Sequence, residues 1–164
     1  RRVAGGSTES IFQPEWSPPG PGDNGALHFV SDRSGWWNLY RLNAMENVPA
    51  ERLYAMDAEF GLPQWVFGMS TYGFVDADTI VCTYSQDGHR FMALLDTVGG
   101  RLQTLDVPYT GSMLAIADGR AVYVGASPTA AGGSTSSSTT PASRATTRSP
   151  RSTTPTSPTC SRPT

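Results

Sequence analysis

Lysine is absent from this 164-residue chain, and all twelve basic residues are Arg. None of the fourteen acidic residues lies beyond Asp118, and no Val, Ile, Leu, Met, Phe, Trp or Tyr follows Val124. Each absence excludes something. Without Lys there is no Lys-rich arm for nucleic acid, and an acidic body opposes a phosphate-binding face, so no nucleic-acid partner is expected. Residues 1–129 carry eight Arg against fourteen acids, a net charge of −6, while residues 130–164 carry four Arg and no acid, +4, giving the chain its −2. Any core therefore comes from about 120 residues, a small but sufficient number. Cys82 and Cys160 are too few for a disulfide framework. No stretch reads as a signal peptide and no apolar run approaches membrane-spanning length. These absences lead to the expectation of a soluble, cytoplasmic protein with no membrane partner. The opening Arg1-Arg2, without a start Met, leads to the expectation of further sequence upstream.

What is present is alternation of period two, broken by turn residues, with no convincing helical stretch. Ile11–Trp16 reads as a strand ended by Ser17-Pro18-Pro19-Gly20. Leu27–Ser31 follows, then a turn at Asp32-Arg33-Ser34-Gly35, a strand at Trp37–Leu42 and a shorter one at Glu51–Tyr54. A similar order recurs. Gln64–Phe67 is expected to open a second set, followed by Thr79–Tyr84, the turn Ser85-Gln86-Asp87-Gly88, Phe91–Asp96, the turn Val98-Gly99-Gly100 and Arg101–Leu105. A third set begins with Ser112–Ala117, the turn Asp118-Gly119 and Ala121–Val124.

The second strands of these sets begin at residues 27, 79 and 121, offsets of 52 and 42. Short strands in fours, recurring at about 40–50 residues, are the signature of propeller blades. The fold class expected is all-β: a partial β-propeller of about two and a half four-stranded blades, followed by a disordered tail. A sandwich or irregular sheet with accidental spacing is the alternative. Blades bury their faces against neighbouring blades, so outer faces here are expected to expose apolar side chains meant for missing blades.

The blade residues resemble a specific family. Gln13-Pro14-Glu15-Trp16-Ser17-Pro18, then Leu27 through Arg41 (LHFVSDRSGWWNLYR), and Ala58 through Gly68 (AEFGLPQWVFG) are similar to propeller blades of the prolyl oligopeptidase family of serine peptidases. The nearest branch is the bacterial dipeptidyl-aminopeptidase and acylaminoacyl-peptidase-like enzymes. The resemblance covers about residues 10–129, leaving residues 1–9 as an N-terminal extension and 130–164 as a tail. It implies a propeller that restricts access to a separate α/β-hydrolase domain, which carries a Ser-His-Asp triad and acts on peptides. Where the family's blade turn reads Ser-Pro-Asp-Gly, Pro19 stands in place of the Asp here and residues 21–25 look inserted.

The triad itself has no counterpart. The nucleophile of such enzymes sits in a G-x-S-x-G elbow, and the nearest approach, Gly68-Met69-Ser70-Thr71-Tyr72-Gly73, is one residue too long and lies within a blade, so Ser70 reads as structural. No catalytic residue is assigned, and the chain is not expected to be an enzyme. Its missing partners would be the remaining blades and the hydrolase domain.

The tail from Ala130 holds nine Ser, ten Thr, five Pro and four Arg. It reads as a disordered linker, since it has too little apolar surface to offset its ordering entropy. A second reading is a frameshift near Ala126–Gly132. Shifted by one base, Gly133–Ser136 permits Arg-Leu-Asp-Leu and Thr139–Ala142 permits Asp-Asp-Pro-Gly, a strand and a turn.

Other candidate sites are weak. Gly20-Pro21-Gly22-Asp23-Asn24-Gly25 matches G-x-G-x-x-G by letter, but a strand follows where a dinucleotide site needs a helix. His28 and His89 have no second ligand at metal spacing, and Asp76-Ala77-Asp78 reads as a hairpin turn, so neither metal nor cofactor is assigned. The aromatic residues Trp16, Trp36, Trp37, Trp65 and Phe67 read as blade-to-blade packing. Glu59 is the one charged residue singled out, a substrate-channel candidate whose carboxylate could hold a peptide's free amino group. A cavity-facing Glu59 without an Arg partner would favour that role, while an outward rim position would remove it and leave a paired or solvated carboxylate. Two functions follow: the access-controlling propeller segment of a serine peptidase without its catalytic domain, or an independent propeller-type binding protein with a flexible tail.

Overall fold

The computed structural model describes residues 2–21, 24–43, 48–107, 111, 113–117, 120–125 and 136–141, with backbone alone for Gly125 and 136–141. Among these residues every regular element is a strand, and the strands form three antiparallel meanders. The first sheet is β1 (Ile11–Trp16), β2 (Leu27–Ser31), β3 (Asn38–Leu42) and β4 (Glu51–Arg52). The second is β5 (Tyr72–Phe74), β6 (Thr79–Gln86), β7 (His89–Asp96) and β8 (Arg101–Leu105). The third is β9 (Leu114–Ala117), β10 (Arg120–Gly125) and β11 (Ser136–Pro141). Within each sheet every strand pairs with the next in sequence, and the sheets do not close on one another, which is the architecture of a partial β-propeller.

The expected spacing holds, with the second strands starting at residues 27, 79 and 120. The expected opening of the second set does not. Gln64–Phe67 is a turn, and β5 is instead Tyr72–Phe74. Pro63 precedes the turn and Gly68 follows with φ +77°, so the apolar run cannot stay in a ladder. The fourth strand is also shorter than Glu51–Tyr54. Within the tail expected to be disordered, Ser136–Pro141 pairs along its length with Arg120–Gly125. The rest of residues 130–164, the turn at Asp118-Gly119 and Cys160 lie outside the described residues. Asp87 (φ 50°) and Gly88 (φ 77°) close the β6–β7 hairpin between the paired Gln86 and His89. Two consecutive positive φ values define the tight turn that suits strand twist, which Asp-Gly adopts readily.

The main core lies between the first two sheets. Val30, Leu39 and Phe12 on one side meet Tyr72, Ile80, Cys82 and Leu95 on the other, all nearly inaccessible. At about 1.5–3 kcal/mol per fully buried large side chain, this contact is the main stabilising term. A second cluster joins the second and third sheets through Val81, Met92, Leu114, Ala121 and Tyr123.

The outer faces differ. On the first sheet Phe29 and Tyr40 stack at 5.9 Å. Ala4 and Ile11 pack against their cluster, and Arg33 lies over both rings. Glu9 fixes that Arg, accepting hydrogen bonds from Arg33 Nε and Ser31 Oγ at 2.7 Å each. Burial pushes the Glu9 carboxyl up, but these bonds and the Arg33 charge outweigh it and hold it below the ordinary range. The expected exposed apolar face is thus absent there, sealed by residues 2–11. On the third sheet it is present, with Met113, Val122 and Val124 exposed.

The first strands of the sheets converge on Gln13. Its side-chain amide donates to Tyr72 O at 2.7 Å and Ser70 Oγ at 2.9 Å, while its oxygen accepts the Thr71 N–H at 2.7 Å. Its main-chain carbonyl accepts the Tyr72 hydroxyl at 2.7 Å. Gln13 sits at φ 48°, unusual for a residue other than Gly, inside a β-bulge. Replacing Gln13 with Ala leaves the Thr71 N–H without that acceptor and is expected to cost about 2–4 kcal/mol. The urea midpoint should fall accordingly with the slope unchanged.

Candidate functional site

Glu59, the residue singled out from the sequence, bridges the first two sheets. Its N–H and carbonyl exchange hydrogen bonds with Ser85 at 2.9 Å each. Its carboxylate Oε2 accepts the Trp37 N–H at 3.1 Å. Trp37 immediately precedes β3, and Ser85 lies near the end of β6. Glu59 is therefore held at the end of the sheets where the β2–β3 and β6–β7 turns lie. It forms no ion pair among the described residues. Its recess, shared with Thr71, Tyr84 and Arg90, measures about 10 Å³, room for about one water and not for a ligand. A ligand's amino group would have to meet the carboxylate at the mouth of this recess.

The aromatic residues expected to pack between blades divide. Trp37 does so, edge-on to Phe12 at 6.3 Å. Trp16 and Trp36 are exposed, as are Trp65 and Phe67, the last at 102 %. The packing role is instead taken by Phe60, Tyr72, Tyr84 and Phe91, with Tyr84 tilted on Phe60 at 5.2 Å and stacked on Phe91 at 5.2 Å. Trp65, Val66 and Phe67 form the tip of the turn before β5, which Gln64 ties to Ile11 O at 2.8 Å. Ser70, the near-miss nucleophile, donates to Tyr72 O at 3.0 Å and accepts from Gln13, a structural role with no base beside it among the described residues.

Two larger cavities lie elsewhere. One, of about 270 Å³, is bounded by Ser17, His28, Arg41, Glu51 and Asp78. Arg41 and Glu51, neighbours on β3 and β4, pair on its wall at 2.8 Å. His28 is buried, with Nδ1–H donating to Ala26 O at 3.1 Å and the ring edge-on to Phe74 at 5.0 Å. Its Nε2 has no hydrogen-bond partner among the described residues. Burial, followed by the nearby Arg41 charge, lowers its pKa to about 4. The second cavity, of about 540 Å³, runs along the first strands of all three sheets and is bounded by Glu15, Trp16, Ser70, Phe74, Leu114 and Ile116. Sequence reading missed Glu15. Pro14 beside it, a residue that inside a strand marks a bulge or an edge, was the available signal.

No group of three or more His, Cys, Asp or Glu among the described residues could hold a metal ion. The letter match to a dinucleotide motif falls partly outside the described residues, which nevertheless include β2 two residues beyond it. Cys82 is fully buried, and burial pushes its thiol up to about 12, leaving it unreactive at neutral pH. No helix among the described residues is long and apolar enough to cross a membrane.

The fold defines the class as a segment of β-propeller, and solved structures share it. A puromycin hydrolase superposes with a TM-score of 0.68 at 32 % identity over 78 % of this chain. A mutant of a puromycin hydrolase complexed with PGG matches equally. A puromycin-hydrolyzing peptidase of Mycobacterium tuberculosis gives 0.67 at 26 % identity over 85 %. The chain spans only about a fifth of their length, 19 % for the first and 20 % for the mycobacterial protein. No family model matches, and a search of curated proteins finds no match. The resemblance to the propeller portion of prolyl oligopeptidase family serine peptidases, read from the blade residues, thus holds in three dimensions.

The depressed His28 pKa has a consequence for stability. Between about pH 6.5 and pH 4 the unfolded chain takes up a proton that folded His28 refuses, so stability falls as the pH falls. The loss should approach roughly 3 kcal/mol at the acid end of this window. Urea unfolding at half-unit pH steps checks it. A His28→Gln variant should lose most of that slope.

Proposed function

We propose that the chain is a non-catalytic, access-controlling propeller segment of a serine-type peptidase, without an α/β-hydrolase domain in its 164 residues. The observation that carries this reading is the match to the puromycin-hydrolysing enzymes, which covers most of this all-β chain and about a fifth of their length. No G-x-S-x-G elbow occurs in the sequence. Without a nucleophile poised beside a base and oxyanion donors, the strands supply a wall and no reagent. A peptide or aminoacyl amide would be the substrate of the whole enzyme. Glu59, at the turn end of the sheets with no ion pair among the described residues, would hold its free amino group through a charge-assisted hydrogen bond. The cytoplasm is the compartment that fits the two-cysteine sequence.

Purified chain incubated with puromycin and with aminoacyl-amide reporters is expected to release no product above the buffer rate. Turnover that a serine-directed inhibitor abolishes would contradict the reading.

A further inference from the structure

The third sheet has one apolar face packed and one open, and strand alternation divides its side chains between them. In β9 and β10, Leu114, Ala121 and Tyr123 turn toward the second sheet and are almost inaccessible. Val122 and Val124, with Met113 just before β9, turn the other way and stand 42 %, 47 % and 53 % exposed. Ala115 and Ala117 are exposed on the same face. The register sets Val122 opposite Ala115 and Arg120 opposite Ala117. On this face β10 therefore raises a ridge of valines, and β9 beside it forms a furrow of alanines closed at one end by Met113. Arg120 brings the only charge to the face among the described residues, at the hairpin end of the strands, where it is exposed.

Residues 126–164 cannot cover such a face, for they include no Val, Ile, Leu, Met, Phe, Trp or Tyr. The outer face of the first sheet in another copy cannot receive it either. There Ala4, Ile11 and Arg33 already lie over Phe29 and Tyr40. Head-to-tail stacking of copies is thereby closed, which leaves the same face on a second copy. A two-fold axis running between β9 and β10 lays the valine ridge of each copy in the alanine furrow of the other, so every contact is made twice. Charge permits the approach. The −6 of residues 1–129 is offset by the +4 of residues 130–164, which include β11 at the edge of this same sheet.

We propose that the chain pairs with a second copy of itself, as a two-fold dimer, through the outer face of the third sheet. Three strands of about five residues, spaced about 4.8 Å apart, give a footprint of roughly 250 Å² per copy. Stable complexes bury about 800 Å² per partner, so this pair is weak and forms at high concentration. It rests neither on the peptidase reading nor on the role given to Glu59.

The test is sedimentation of the whole 164-residue chain. Between about 10 μM and about 1 mM the weight-average mass should rise toward two copies, with half-association at roughly 0.1–1 mM. Over the same dilution series the methyl resonances of Met113, Val122 and Val124 should move together while those of Ile11 stay fixed. Val122→Arg sets a charge in the seam opposite its own copy and should weaken pairing about ten-fold or more. A Trp65→Ser, Phe67→Ser double variant removes the other exposed apolar group and should leave pairing unchanged. A chain that stays monomeric to about 1 mM, or a mass that climbs past two copies, would overturn the proposal. So would pairing that survives Val122→Arg, or concentration-dependent shifts centred on Trp65 and Phe67 with Val122 unmoved. The wild-type dilution series decides the matter whether or not a variant folds.

Discussion

The sheets of this chain are apolar on two faces, and most of the structure follows from covering them. In β2, Phe29 and Val30 point opposite ways, and both are almost inaccessible. In β6 and β7, Ile80 and Leu95 turn toward the first sheet while Val81 and Met92 turn toward the third. A sheet buried on both faces cannot stand alone in water, so each blade needs a neighbour or a substitute. The chain uses both solutions. Sheets one and two bury each other, and residues 2–11 close the far side of the first through the Glu9–Arg33 pair laid over Phe29 and Tyr40. Hydrophobic contact alone is non-directional, and Gln13 supplies the direction, fixing the first strand of one blade against that of the next by hydrogen bonds with defined partners.

Much of this was legible from residues. Alternation bounded by turn residues located β2, β3, β6, β7 and β8 closely, because those strands are long enough to show their period, and Asp87-Gly88 and Gly99-Gly100 mark the turns after β6 and β7. The second-strand spacing revealed the blades for the same reason. What failed was local apolarity. Gln64–Phe67 resembles a strand by composition, yet Trp65, Val66 and Phe67 are exposed, and the true strand Tyr72–Phe74 is too short to show alternation. Trp65 and Phe67 were misread with it. Large aromatics are usually buried, but nothing in one sequence states which side of a turn they face.

The candidate sites divide along the same line. Glu59 was found by resemblance, and its position at the turn end of the sheets follows from partners, Trp37 and Ser85, that lie 22 and 26 residues away in sequence. Glu15 was missed because strand alternation assigns it to the face opposite Phe12. Only the bulge, which sets Gln13 and Pro14 against the single residue Phe29, corrects that, and the bulge depends on hydrogen bonds to a strand nearly sixty residues later. The bulge that ties two blades together also sets Glu15 on the wall of the second cavity.

If mutual burial of the first two sheets is the basis of the fold, they must open together. Native-state hydrogen exchange, followed at the backbone amides of Val30, Leu39, Ile80 and Leu95 under increasing urea, measures this directly. The account predicts that the opening free energies of these amides converge on one value equal to that of global unfolding. Opening of Val30 and Leu39 at a free energy well below that of Ile80 and Leu95, with its own urea dependence, would show the sheets to be independent units and contradict it.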